Sequence, residues 1–106
     1  MKITKQCHVD TTLRVIGGKW KLLILWYLNE STLRFSELEK RIEGVTQKML
    51  TQQLREMESD GLIARKVYAI VPPKVEYSIT AHGKSLKNVL TELESWGEKH
   101  RNKHSL

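Results

Sequence analysis

From Lys19 to Asn29 almost every position is apolar: Trp20, Leu22, Leu23, Ile24, Leu25, Trp26, Tyr27 and Leu28. A helix apolar nearly all round belongs at the centre of a fold. Before it, Val9, Leu13 and Ile16 recur at i, i+4 and i+7, which predicts a helix capped by Asp10 and broken by Gly17-Gly18. Leu33 reads as a short strand-like start. Ser36 and Glu39 form a Ser-x-x-Glu capping box for a helix ending near Ile42, and Gly44 marks a turn. Thr46 caps a helix running to about Asp60, with Leu50, Leu54 and Met57 as its core face and Gly61 as its stop. Ile63 to Ile70 and Lys74 to Ile79 are strand-like. In the second, Val75, Tyr77 and Ile79 alternate with Lys74, Glu76 and Ser78, so one face is buried; alternation does not choose a face for the first. Pro72-Pro73 marks an exposed hairpin tip. Thr80 caps a long final helix bearing Leu86, Val89, Leu90, Leu93 and Trp96 on one side, with Gly83 and Gly97 weakening its ends.

A helix pair followed by a charged hairpin is the order of a winged helix-turn-helix. The expected fold is therefore mainly α with a small β-hairpin wing. In that layout the first helix braces, the second enters the DNA major groove and the hairpin reaches the flanking backbone. The Thr46 helix carries suitable chemistry. Lys48, Thr51, Gln52 and Arg55 lie opposite its core face. Gln pairs with adenine, Arg with guanine, Thr with a methyl group or phosphate, and Lys with backbone or guanine. Glu56, Glu58 and Asp60 gather at the other end of the helix. Arg65, Lys66 and Lys74 put positive charge on the wing, where contacts position a protein on DNA without specifying sequence. Ordinary solvation of a surface helix and strand is the alternative for each set.

Composition agrees. A chain of 106 residues is read as one domain, 1–106, and a net charge of +6 with 40% hydrophobic residues describes a basic globular protein. Its pI near 9.6 favours a polyanionic partner, nucleic acid before acidic membrane. One cysteine rules out an internal disulfide and a cysteine-based zinc cluster. No apolar run has the length of a membrane span, and the start of the chain lacks the apolar core of a signal peptide, so a cytoplasmic location is expected. His100 and His104 have the spacing of a metal pair, but Lys99, Arg101 and Lys103 interleave them and no acidic or thiol partner is near. No metal or cofactor is expected. Phosphate loops, nucleophile elbows and metalloprotease helices are absent, which argues against an enzyme. Cys7 lies between Lys5 and His8, cationic neighbours that favour the reactive thiolate; a small buried hydrophobe is the alternative.

The chain closely resembles the HxlR-type family of bacterial transcriptional regulators, related to MarR-type winged-helix proteins. Four pieces carry the resemblance in order: Gly17-Gly18-Lys19-Trp20 leading into Leu23-Ile24-Leu25; Arg34-Phe35-Ser36-Glu37-Leu38; Asp60-Gly61-Leu62-Ile63 with Arg65; and Pro72 through Thr80 with Gly83. The resemblance implies a homodimer joined by its N- and C-terminal helices. It also implies that the helix bearing Thr46, Gln47, Lys48, Thr51, Gln52 and Arg55 is the recognition helix. A cysteine just before the first helix senses electrophiles, quinones or oxidants in several members, and Cys7 matches that position.

The expected function is a DNA-binding regulator, a repressor by preference, acting as a homodimer on a near-palindromic operator. Double-stranded DNA and a second copy are its partners, and a small electrophile is a candidate signal through Cys7. The dimer interface is expected from Val9, Leu13 and Ile16 with Leu86, Val89, Leu90, Leu93 and Trp96, more apolar surface than a thin core covers. The rival is a winged-helix module whose polar helix face meets a protein.

Overall fold

A computed structural model describes residues 7–104. Its elements, in order, are α1 (His8–Ile16), α2 (Trp20–Glu30), β1 (Leu33–Arg34), α3 (Phe35–Arg41), α4 (Gln47–Ser59), β2 (Ile63–Tyr68), β3 (Lys74–Ile79), α5 (Ala81–Lys84) and α6 (Lys87–His104). Helices α2 to α5 pack against a three-stranded antiparallel sheet ordered β1-β3-β2. This is the winged helix-turn-helix expected from sequence.

The core sits where α2, α3 and α4 meet the sheet. Ile24, Leu25 and Leu28 of α2 pack with Leu38, Ile42, Leu50, Leu54 and Met57, and Leu62, Ile63 and Tyr77 close the sheet side. The centre of α2 is thus buried as expected, but not on every side. Leu23 and Trp26 remain more than a third exposed, and Lys21, within the apolar run, is buried.

Local signals place α4 well. The Thr46 side chain accepts the Met49 N–H at 3.1 Å, and Gly61 takes φ +76° just past the end, a left-handed value that glycine adopts freely. Three other starts differ from expectation. Cys7, not Asp10, is the N-cap of α1, and its carbonyl accepts the Asp10 and Thr11 N–H groups; Asp10 lies inside the first turn and pairs with Arg14 at 3.8 Å. The Ser36–Glu39 box does not form. β1 runs straight into α3, so Arg34 is the N-cap and the Glu37 carboxylate accepts its N–H at 2.8 Å. Finally, Thr80 caps only the short α5, accepting the Gly83 N–H at 3.0 Å, and the chain turns at Ser85-Leu86 before α6 begins.

The wing also differs in detail. β2 ends at Tyr68, two residues early, and of its side chains only Ile63 is buried. In β3 Tyr77 is buried while the polar Lys74, Glu76 and Ser78 are half-covered, because β3 is the central strand and both its faces have neighbours.

Candidate DNA-binding surface

The register of the sheet sorts the wing cations. Arg65 lies opposite Tyr77, whereas Lys66 lies opposite Glu76 and Tyr68 opposite Lys74. Side chains alternate across a strand, so Arg65 shares the face of Tyr77 towards α4, and Lys66, Tyr68, Lys74 and Glu76 share the other. The three wing cations singled out by sequence do not form one patch.

On the α4 side, Gln47, Lys48, Thr51, Gln52, Arg55 and Glu56 line one shallow open groove. Gln47, Lys48, Gln52 and Arg55 are exposed and Thr51 is half-buried, while Leu50, Leu54 and Met57 on the opposite side are fully buried. Thr46 contributes its hydroxyl to the cap. A second depression joins this helix to the wing: Thr51, Leu54, Arg55 and Glu58 meet Arg65 and Tyr77. Arg55 borders both. The structure therefore brings the helix candidates together and adds Arg65 to them.

On the outer face, the Lys66 and Lys74 ammonium groups each lie 4.8 Å from the centre of the Tyr68 ring. The Tyr68 hydroxyl donates to Glu76 at 2.7 Å, and Lys74 pairs with Glu76 at 3.3 Å. The Tyr68 hydroxyl first, then Lys74 and Arg34, hold the Glu76 carboxyl below its ordinary value near 4.5. Lys74 is thus partly spoken for within the wing. Beyond it the tip is apolar and open, with Val71 98% exposed.

Two residues that sequence does not single out as site residues bear on this surface, one on it and one buried beneath it. The Lys21 ammonium reaches from α2 to Glu56 of α4 at 2.7 Å, and Gln52 Nε2 donates to the same carboxylate at 3.3 Å. Lys21, ahead of Gln52, holds the Glu56 carboxyl below its ordinary value near 4.5. The one sequence signal is a lysine inside an apolar run.

The expected interface residues divide. Val9, Leu13, Val89, Leu93 and Trp96 are exposed, whereas Ile16 and Leu90 are buried within the subunit and Leu86 packs against its core. Leu23 and Trp26 join the exposed set, beside Leu90 and Leu93 in an open cleft between α2 and α6. Cys7 is exposed; Lys5, its expected neighbour, lies outside the described residues. Among the described residues no group of three or more His, Cys, Asp or Glu converges as a metal site. His100 stacks on Trp96 at 5.0 Å and lies 4.4 Å from His104, an aromatic ladder along α6. No helix among the described residues is long and apolar enough to cross a membrane.

Known proteins share this fold. The family model described as HxlR-like helix-turn-helix matches residues 15–105. The HTH-type transcriptional regulator YtcD of Bacillus subtilis strain 168 is 54% identical over 95 residues, covering 90% of this chain and 75% of its own. Among solved structures, the redox regulator HypR in its reduced form superimposes with a TM-score of 0.88 at 43% identity, covering 93% of this chain and 98% of its own. Its oxidised form gives 0.84 at 46% identity, covering 88% and 96%. The chain belongs to the HxlR-like family of winged helix-turn-helix transcriptional regulators.

Proposed function

We propose that the protein is a homodimeric DNA-binding regulator that represses transcription from a near-palindromic operator in the cytoplasm, with Cys7 as its redox- or electrophile-sensing residue. The observation that carries this reading is the division of α4. Its apolar side is fully buried, and Gln47, Lys48, Gln52 and Arg55 stand outward beside the wing. Residues of these types read base edges, and the basic balance of the chain supplies the phosphate attraction. Occupying promoter DNA blocks polymerase without any further activity, so repression is the outcome proposed.

The pairing of subunits rests on unspent apolar surface. Val9 and Trp96 are each 66% exposed and Leu13 59%. The radius of gyration is 15.8 Å, against about 13 Å for a compact chain of this length. The open apolar sides of α1 and α6 carry these residues, and a second copy is the simplest cover for them. Two α4 helices would then enter major grooves about 34–36 Å apart. The sensing role rests on the likeness to HypR, named a redox regulator, and on the exposure of Cys7 at the start of α1.

The test is mobility on a random duplex and on a selected operator at low and high salt. DNA reading expects binding that weakens steeply with salt and a preference for the operator that persists. No binding to either duplex at low salt would replace this reading with a protein-contact module using the same polar face.

A further inference from the structure

Lys21 is 7% exposed, and its ammonium is among the groups least easily hidden from water. It is answered by Glu56, whose Oε1 lies 2.7 Å from Lys21 Nζ. The other carboxylate oxygen, Oε2, accepts Gln52 Nε2 at 3.3 Å. One carboxylate thus joins a buried cation on α2 to an exposed carboxamide on the outward face of α4.

We propose that Lys21 and Glu56 are positioning residues that fix which way the Gln52 carboxamide faces, and so make Gln52 an adenine-selecting residue. This rests on the DNA-reading function proposed above and names how one position of the operator is specified.

The argument is one of donors and acceptors. An ionised carboxylate only accepts hydrogen bonds, so Gln52 must turn its nitrogen, not its oxygen, to Glu56. Glu56 uses one of the two N–H hydrogens. The second hydrogen and Oε1 remain, a donor beside an acceptor. Adenine presents N7 as acceptor and N6 as donor in the major groove, the complement of that pair. A glutamine free to flip would offer the pair in either order and spend part of its contact energy on being oriented. An i, i+4 Gln–Glu contact on an open helix is by itself weak. Lys21 changes this, because its buried ammonium holds the carboxylate in place and ionised. The depressed carboxyl of Glu56 agrees with that state. The buried ammonium is directed at Glu56 and not at Glu58 or Asp60, which lie further along the helix and are exposed.

The experiment selects duplexes from a randomised library with wild type, Gln52→Ala, Glu56→Gln and Lys21→Met, with thermal melting to establish that each variant is folded. Wild type is expected to favour adenine about tenfold or more at one position of each half-site, within the range of a bidentate contact. Gln52→Ala should flatten that position. Glu56→Gln replaces an acceptor-only group by one that also donates, so the carboxamide is free to invert; adenine preference should fall there by several-fold while other positions keep theirs. Lys21→Met should act in the same direction. A merely structural role would lower affinity evenly across the site. Should Lys21→Met fail to fold, Glu56→Gln decides the question, because Glu56 is half-exposed. Undiminished adenine preference in Glu56→Gln, at the position Gln52→Ala flattens, overturns the relay and leaves DNA reading intact. A motif unchanged by Gln52→Ala overturns it as well. Absence of any selected motif, with no binding at low salt, removes the DNA-reading function and the relay together.

Discussion

Gly83 lies directly against the backbone carbonyl of Leu62, so close that a Cβ there would overlap the oxygen and also press on Ile79. The same carbonyl accepts the Thr80 N–H at 3.1 Å and the Thr80 hydroxyl at 3.0 Å. The end of β3 is thereby fastened to the residue that leads into the strand following α4, and the short α5 lies against the same carbonyl through Gly83.

Gly83→Ala should therefore destabilise the protein by about 1–3 kcal/mol or more, since backbone must move to admit a methyl group. At Gly97, inside α6, an added methyl group would meet nothing within 4 Å. Gly97→Ala should stabilise by about 0.5–1 kcal/mol through helix propensity. Urea unfolding midpoints of the two variants should move in opposite directions.

Subunit pairing and subunit folding should separate by mutation. Leu93→Glu and Trp96→Glu alter exposed residues and should leave a folded monomer with weakened operator affinity. Ile16→Ala and Leu90→Ala remove buried groups and should cost about 2–5 kcal/mol of stability. Sedimentation velocity at micromolar concentration, beside thermal melts, reads both. A wild-type monomer there would count against the dimer.

Operator binding of wild type should respond to a quinone or to diamide, and Cys7→Ser should not. Two Cys7 thiols from paired subunits would lose two hydrogens to diamide and form one disulfide, visible on a non-reducing gel. A quinone would instead add mass to Cys7 alone. Equal responses in wild type and Cys7→Ser would leave the cysteine with no sensing role.

Acid should loosen the fold through Glu56 and Glu76. Both have carboxyl groups held below 4.5 in the folded protein, by Lys21 and Gln52 for the first and by Tyr68 and Lys74 for the second. The folded state therefore binds fewer protons than the unfolded state in that range. Their stabilising contribution is complete above about pH 4.5 and is lost as pH falls through the lowered values. The melting temperature of Glu56→Gln,Glu76→Gln should decline less steeply than that of wild type between pH 5 and pH 3, as measured by circular dichroism.

How much of the fold is legible in the sequence follows from how local each signal is. The Thr46 cap, Gly61 and the alternation of Val75, Tyr77 and Ile79 act within a few residues, and they locate α4 and β3 closely. The start of α3 escapes such signals because pairing of Leu33 with Tyr77 and Arg34 with Glu76, far away in the chain, carries the strand up to the helix. The seating of Thr80 and Gly83 on the Leu62 carbonyl, equally remote, is likewise invisible to local signals. The polar face of α4 is legible from its spacing, yet its tie to Lys21 is not, since no periodicity relates residues on two different helices. Likewise only packing separates Ile16 and Leu90, spent on the core, from Leu13 and Leu93, left open.

The pairing of β1 with β3 has a mechanical consequence. It laces the segment between α2 and α3 to the wing, while Lys21 and Glu56 tie α2 to α4. Bending the wing relative to α4, the proposed reading head, would therefore break the ladder as well as the core. On the proposed sensing role, a disturbance arriving at α1 or α6 would turn or translate that head as one piece. In the homodimer proposed above, the two heads would behave as the jaws of a caliper, whose gap, rather than the shape of either jaw, would be the adjustable quantity.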